Sequence, residues 1–223
     1  MSKSKPVRLT YYLDVTSSWC FWSEPAWAEL RDQYEESVDF EWKIAALDPG
    51  AYSTRAAQDW FYRRSGIITR SPIKLNSAWM EPVGLGNYEA PNRVAQAAKF
   101  LGQADDSVRF ALAEAALIQG RRIREVEVAL DVAVAASGLD RHQLRAIATS
   151  DEVSKAMAHT RAEFDSLQVD QRPAFLLTSE IGDRATFSGL VHYEPLAATI
   201  DAMLSDVGGY KSFAAHFGEP PSS

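Results

Sequence analysis

Val15-Thr16-Ser17-Ser18-Trp19-Cys20-Phe21-Trp22-Ser23 is the stretch from which the fold of this chain is read. It follows Val7 to Asp14, where Val7, Leu9, Tyr11 and Leu13 alternate as in a half-buried strand. It precedes a helix-like run, roughly Glu24 to Gln33. Ser23-Glu24-Pro25 offers a second helix start, because Ser caps and Pro is tolerated in a first turn; a kink near Pro25 is expected. At such a strand-to-helix junction the first backbone N–H groups of the helix point into the turn and favour negative charge. Cys20 is the only cysteine in 223 residues. In a first helical turn its thiol pKa can be lowered. The commoner reading of a lone cysteine between Trp and Phe is a small buried hydrophobe.

The totals exclude several classes. Hydrophobic content of 46% and charged content of 24% are ordinary for a globular protein. The length suits one large domain or a domain with a sizeable insertion. A net charge of −7 argues against nucleic acid and against an anionic membrane surface as partners. One cysteine excludes an intrachain disulfide and any multi-cysteine metal site, and His142, His159 and His216 form no metal spacing. Met1-Ser2-Lys3-Ser4-Lys5-Pro6 carries no apolar signal core, and no run is long enough to span a membrane. A cytoplasmic location is therefore expected.

Outward from the turn, Val38, Phe40, Trp42 and Ile44 alternate again and end at Leu47-Asp48-Pro49-Gly50, giving β-α-β. From about Thr54 to Phe164 the periods are helical. Thr54 to Arg64 carries Ala57, Trp60 and Phe61, with Gly66 as a stop. Ile67 to Gly86 is loop-like, with Pro72, Pro82, Gly84 and Gly86. Pro91 opens a helix closed by Gly102. Further helices run from Ser107 to Gln119, from Glu125 to Ser137, from an Asp140/Gln143 capping box, and from Ser150 with Val153, Met157 and Phe164 inward. Arg172-Pro173-Ala174-Phe175-Leu176-Leu177 is a strand with proline at its start, and Ala185-Thr186-Phe187 follows after Glu180-Ile181-Gly182-Asp183, which reads as a hairpin. Glu194-Pro195 opens a last helix to about Leu204. Beyond it Tyr210, Phe213 and Phe217 are spaced for one packed helical turn before Pro220-Pro221-Ser222-Ser223 frays.

Asp14-Val15-Thr16-Ser17-Ser18-Trp19-Cys20-Phe21 resembles the active-site turn of DsbA-like thioredoxin-fold proteins, which commonly read Asp-x-x-Cys-x-Trp-Cys-aromatic after the first strand. Cys20 matches the second cysteine and Ser17 replaces the first. Two branches of that superfamily, the kappa-class glutathione transferases and the 2-hydroxychromene-2-carboxylate isomerases, also carry serine there. Pro173 matches the family's cis-proline, and Gly189 the glycine that precedes its last helix. The resemblance covers about residues 7 to 205. It implies an α/β class: a thioredoxin fold (β-α-β … β-β-α) on 7–50 and 168–207, an inserted all-α helical domain on 51–167, and a tail on 208–223.

The resemblance also implies site roles. A dithiol cycle needs two thiols, so Cys20 alone cannot run it. Ser17 as a nucleophile would need a base, and only Asp14 lies near. Its other roles are helix cap and hydrogen-bond donor to a bound thiolate or enolate. In the serine-bearing branches that thiolate belongs to glutathione. Arg172, beside Pro173, reads either as a guanidinium for a substrate carboxylate or as an exposed loop arginine. His192 stands where kappa-like members hold glutathione, but Leu190-Val191-His192-Tyr193 departs from their polar pair. Trp19 and Trp22 flank the turn, and Trp60 and Trp79 are expected to roof it as an aromatic pocket, with core packing as the other reading. The expectation is a thiol-assisted isomerase or transferase acting on a small apolar or aromatic compound, using glutathione or another small thiol and no metal. A homodimer is left open. Residual monothiol oxidoreductase activity at Cys20 and a non-enzymatic binding or chaperone-like module are the alternatives.

Overall fold

A computed structural model describes residues 5–52, 54–81, 88–189 and 192–218. Met1 to Ser4, the Pro82–Gly86 part of the expected loop, Leu190, Val191 and Pro220 to Ser223 lie outside the described residues.

The alternating stretches form the strands β1 (Val7–Leu13), β2 (Val38–Ile44), β3 (Ala174–Ser179) and β4 (Arg184–Ser188). The sheet order is β2-β1-β3-β4. β1 and β2 run parallel from Val7 opposite Val38 to Leu13 opposite Ile44. β3 is antiparallel to both β1 and β4. A parallel pair needs a crossover, supplied by α1 (Ser18–Tyr34). Between β2 and β3 stand α2 (Arg55–Ile68), α3 (Ala90–Phe100), α4 (Ser107–Leu117), α5 (Val126–Ser137), α6 (Arg141–Ala148) and α7 (Asp151–Ser166). The chain ends on α8 (Tyr193–Phe217). This is a thioredoxin-like fold carrying a helical insertion.

One apolar core runs without a break from Leu9, Leu13 and Trp27 at the sheet to Trp79, Val94, Leu112 and Leu130 in the helices. Two indoles staple the layers together. Trp27 Nε1 donates to Asp106 Oδ2 at 3.0 Å, and Trp42 Nε1 to the Ala104 carbonyl at 2.8 Å. Arg109 is buried beside them, 2.6 Å from both Glu24 Oε1 and Asp106 Oδ1. Burial works against its charge, but Glu24 and Asp106 outweigh that and hold its pKa above the ordinary arginine value.

Several boundaries differ from the sequence reading. α1 starts at Ser18, not near Glu24, and holds Pro25 inside it. Ser23 is not a cap; its hydroxyl donates to the Trp19 carbonyl at 3.0 Å. α2 passes through Gly66 and ends at Ile68. It buries Gln58, Tyr62 and Ser65, while Trp60 and Phe61 are exposed. α8 continues through Gly208 and Gly209 to Phe217. Tyr210, Phe213 and Phe217 point to solvent, where a packed turn was expected. The helix outlasts its core because Val207 is the last residue to reach it.

Candidate functional site

The turn between β1 and α1 is built on Asp14. Its carboxylate accepts from Thr16 N (2.8 Å), Thr16 Oγ1 (2.7 Å), Leu47 N (2.8 Å) and Asn92 Nδ2 (2.8 Å). Asn92 Oδ1 accepts from Val15 N at 3.0 Å. One buried Asp–Asn pair thus ties the turn to the loop after β2 and to α3. A buried carboxylate is tolerated when donors surround it. The same engagement removes Asp14 as a base for Ser17, since both its oxygens are already held by other groups.

Ser17 is the N-cap of α1, in extended conformation, and its Oγ accepts from Cys20 N at 3.4 Å. The Ser17 carbonyl takes Phe21 N at 3.0 Å. The amides of Ser18 and Trp19 have no hydrogen-bond acceptor among the described residues. A helix start with unpaired N–H groups and a hydroxyl beside them attracts an anion, and here Ser17 and Ser18 are only 6% and 7% exposed. The cap and anion-donor readings of Ser17 are compatible, because the cap uses a lone pair and leaves the hydroxyl proton to give.

Cys20 is three residues on, with its thiol within hydrogen-bonding reach of the Ser17 side chain. It is 3% exposed within the main core. Burial pushes its thiol pKa from an ordinary 9.0 up to about 12, against smaller opposing contributions from Ser17 and the Asp14 backbone. The lowered pKa that a first helical turn permits is overridden by desolvation.

The Arg172–Pro173 peptide bond is cis. Tyr12 lies opposite Ala174, so Pro173 sits one step further along, beside Leu13 and the turn. Arg172 corrects both of its sequence readings. It is 5% exposed, donates from Nε to the Ala45 carbonyl at 2.7 Å and from Nη2 to the Ala46 carbonyl at 3.1 Å, and lies over the Phe164 ring at 4.1 Å. A guanidinium so engaged fastens the segment after β2 and is not available to a substrate carboxylate. His192 is exposed at the start of α8 with no side-chain capping bond. His142, His159 and His216 are exposed too.

The tryptophans divide. Trp79 is fully buried, which corrects its place in a substrate pocket. Its Nε1 donates to Tyr62 Oη at 3.0 Å, and Tyr62 Oη donates to the Thr16 carbonyl at 3.1 Å. Trp79 therefore supports the turn from behind. Trp22 Nε1 donates to Ser65 Oγ at 3.0 Å and joins α1 to α2. Trp19 and the exposed Trp60 are bridged by the Arg64 guanidinium, 5.9 and 5.7 Å from their rings. Trp19 stands on the turn itself, and Trp60 is linked to it through Arg64.

Asn92 and Tyr62 were missed as site residues, and Asp14 was weighed only as a base for Ser17. A signal existed for Asn92, a polar side chain directly after Pro91 on a helix otherwise buried through Val94, Ala97 and Ala98. On the far side of Leu47, whose amide bonds Asp14, lies a cavity of about 340 Å³ lined in part by Leu47, Met157, Arg93, Arg161, Asp48 and Glu89.

Comparison with known proteins agrees with this geometry. The family model of the DSBA-like thioredoxin domain matches residues 8–201. A candidate protein disulfide isomerase from Nitrosomonas europaea superposes with TM-score 0.74 at 18% identity, over 91% of this chain and 99% of that one. The cytosolic disulfide reductase DsbM from Pseudomonas aeruginosa gives TM-score 0.68 at 17% identity, over 93% of this chain and 100% of that one. Its structure with GSH gives 0.62 at 15% identity, over 92% and 99%. At these identities the likeness fixes the fold alone. No curated protein matches the sequence. With the family model spanning most of its length, the chain belongs to the DSBA-like thioredoxin-domain family, among whose structural neighbours are thiol–disulfide oxidoreductases.

Proposed function

We propose that this chain is a thiol-assisted isomerase or transferase that takes glutathione or another small thiol as co-reactant and acts on a small apolar or aromatic compound. The observation that carries the reading is the state of the two motif positions. The one that would bear the attacking thiol is Ser17, and the remaining thiol, Cys20, is buried with its pKa pushed up to about 12. The reactive sulfur therefore comes from outside. The Ser17 hydroxyl and the amides of Ser18 and Trp19 form a seat for its thiolate. The cavity on the far side of Leu47, whose amide bonds Asp14, carries both Arg and Asp/Glu on its wall, though no residue of the turn lines it. The Pseudomonas reductase was solved with GSH, and a cytoplasmic setting, as for that cytosolic neighbour, would keep such a thiol reduced.

In the isomerase form the thiolate adds to a conjugated carbon. The electron pair moves to the carbonyl oxygen as an enolate, and the new single bond rotates. The enolate then returns the pair and expels the thiolate unchanged. No oxidant or reductant is consumed. The test is turnover of 2-hydroxychromene-2-carboxylate and of other aryl enones, with and without glutathione. Ser17→Ala is expected to lower the rate roughly a hundredfold, the scale of losing one oxyanion-type donor. Cys20→Ser is expected to retain it. A rate that needs Cys20 and not Ser17 would select the monothiol oxidoreductase instead.

A further inference from the structure

The acidic chain carries a strongly basic segment in α2 and the loop that follows it, apart from the Arg121-Arg122-Ile123-Arg124 run. Between residues 55 and 75 stand Arg55, Arg63, Arg64, Arg70 and Lys74 against the single carboxylate of Asp59, in a protein of net charge −7. Arg55 is paired with Glu81, and Arg64 lies over Trp19 and Trp60. Arg63, Arg70 and Lys74 make no ion pair and no side-chain hydrogen bond among the described residues. All three cations line one groove of about 760 Å³ between α2 and the Arg70–Leu75 segment. Asp59 lines the same groove and accepts from Ser77 Oγ, so the lining carries three cations against one carboxylate that pairs with none of them. Apolar side chains share that lining, with Ile67 70% and Ile73 47% exposed. Exposed isoleucines clustered beside unpaired cations mark an interaction site. The volume falls in the range of small-molecule sites.

We propose that this groove binds a medium-chain carboxylate, with the alkyl chain on Ile67, Ile73 and Leu75 and the head group held by Arg63, Arg70 and Lys74. Charge complementarity selects an anion, and the apolar part of the lining selects a hydrocarbon body over a bare ion. The concave shape selects a free ligand over a flat membrane surface, which would meet protruding side chains. Tyr62 also lines the groove, and its hydroxyl bonds the Thr16 carbonyl. The site thus lies one side chain from the turn and needs neither Ser17 nor a thiol. It stands or falls independently of the reaction proposed above.

The test is calorimetric titration of the full chain with decanoate, with backbone-amide NMR to locate the contact. Decanol, vesicles of phosphatidylcholine and vesicles containing phosphatidylserine are titrated in parallel. Saturable decanoate binding is expected, with shifts confined to 59–75, at least threefold tighter than decanol and weakened by salt. Lys74→Gln should weaken it roughly threefold, as for one exposed ion pair. Arg70→Asn should do the same, because Asn tolerates the positive φ of 53° found there. Equal affinity for decanol, shifts centred elsewhere, or binding only to phosphatidylserine vesicles would each overturn the proposal. Unchanged circular dichroism in both exposed-residue variants separates a lost contact from a lost fold.

Discussion

Raising the pH on the native protein in the presence of a thiol reagent tests whether Cys20 is chemically silent. An ordinary thiol of pKa 9.0 is about one-tenth thiolate at pH 8, whereas one of pKa about 12 is ionised about once in ten thousand molecules. Native Cys20 should therefore react roughly a thousandfold more slowly than the unfolded chain on ionisation alone, and its 3% exposure slows access further. The assay is the rate of release of a chromogenic aromatic disulfide's thiol, with and without denaturant. Stability gives a second readout. An acid whose folded pKa is raised keeps its proton in the native state after the unfolded chain has lost it. Unfolding free energy is therefore flat in this group below about pH 9 and falls between about 9 and 12, by about 1.4 kcal/mol per pH unit. Stoichiometric labelling of folded protein within seconds at pH 8 would refute the reasoning and restore Cys20 as a nucleophile.

Other perturbations have equally definite outcomes. The wild type should lack dithiol oxidase activity, and Ser17→Cys should create it. Residues one helical turn apart bring their Cβ atoms to about 5–6 Å, and modest adjustment reaches disulfide geometry; a folded variant with two free thiols after oxidant would contradict this. Arg109→Met leaves Glu24 and Asp106 without their buried cation and should cost about 3–5 kcal/mol. That lowers Tm by on the order of 10 °C for a chain of this size, and a calorimetric shift under about 2 °C would count against the pair's structural role. Removing residues 209–223 should leave Tm nearly unchanged, since no side chain described beyond Val207 is buried; a large loss would show that the end of α8 packs on something.

The parts legible in the sequence are those governed by local pattern. The alternation of β1 and β2, the helical periods of the insertion, and the Asp140 cap, whose carboxylate does take Gln143 N at 2.8 Å, need only neighbours along the chain. The family motif added Ser17, Cys20 and Pro173 to one locality. What escaped depends on partners far apart in the chain. Asn92 meets the Asp14 carboxylate 78 residues away, and Arg172 turns inward to carbonyls 127 and 126 residues away. Neither pairing leaves a periodic trace. Trp79 looked like a pocket roof because the fold implied by the family resemblance sets its stretch over the turn, yet Tyr62 satisfies its indole N–H and lets it be buried whole. The length of α8 was hidden by Gly208-Gly209, whose poor helix propensity did not stop the helix.

The central claim is that an external thiol is held as its thiolate at Ser17, with Cys20 as packing. Calorimetric titration with glutathione of the wild type, Ser17→Ala and Cys20→Ser tests it most directly. The account predicts saturable, reversible binding by the wild type and by Cys20→Ser alike, with Ser17→Ala weaker by roughly ten- to hundredfold, as for one hydrogen bond to a charged group. Equal affinity in wild type and Ser17→Ala, or a glutathione adduct on Cys20 in the intact mass, would contradict it.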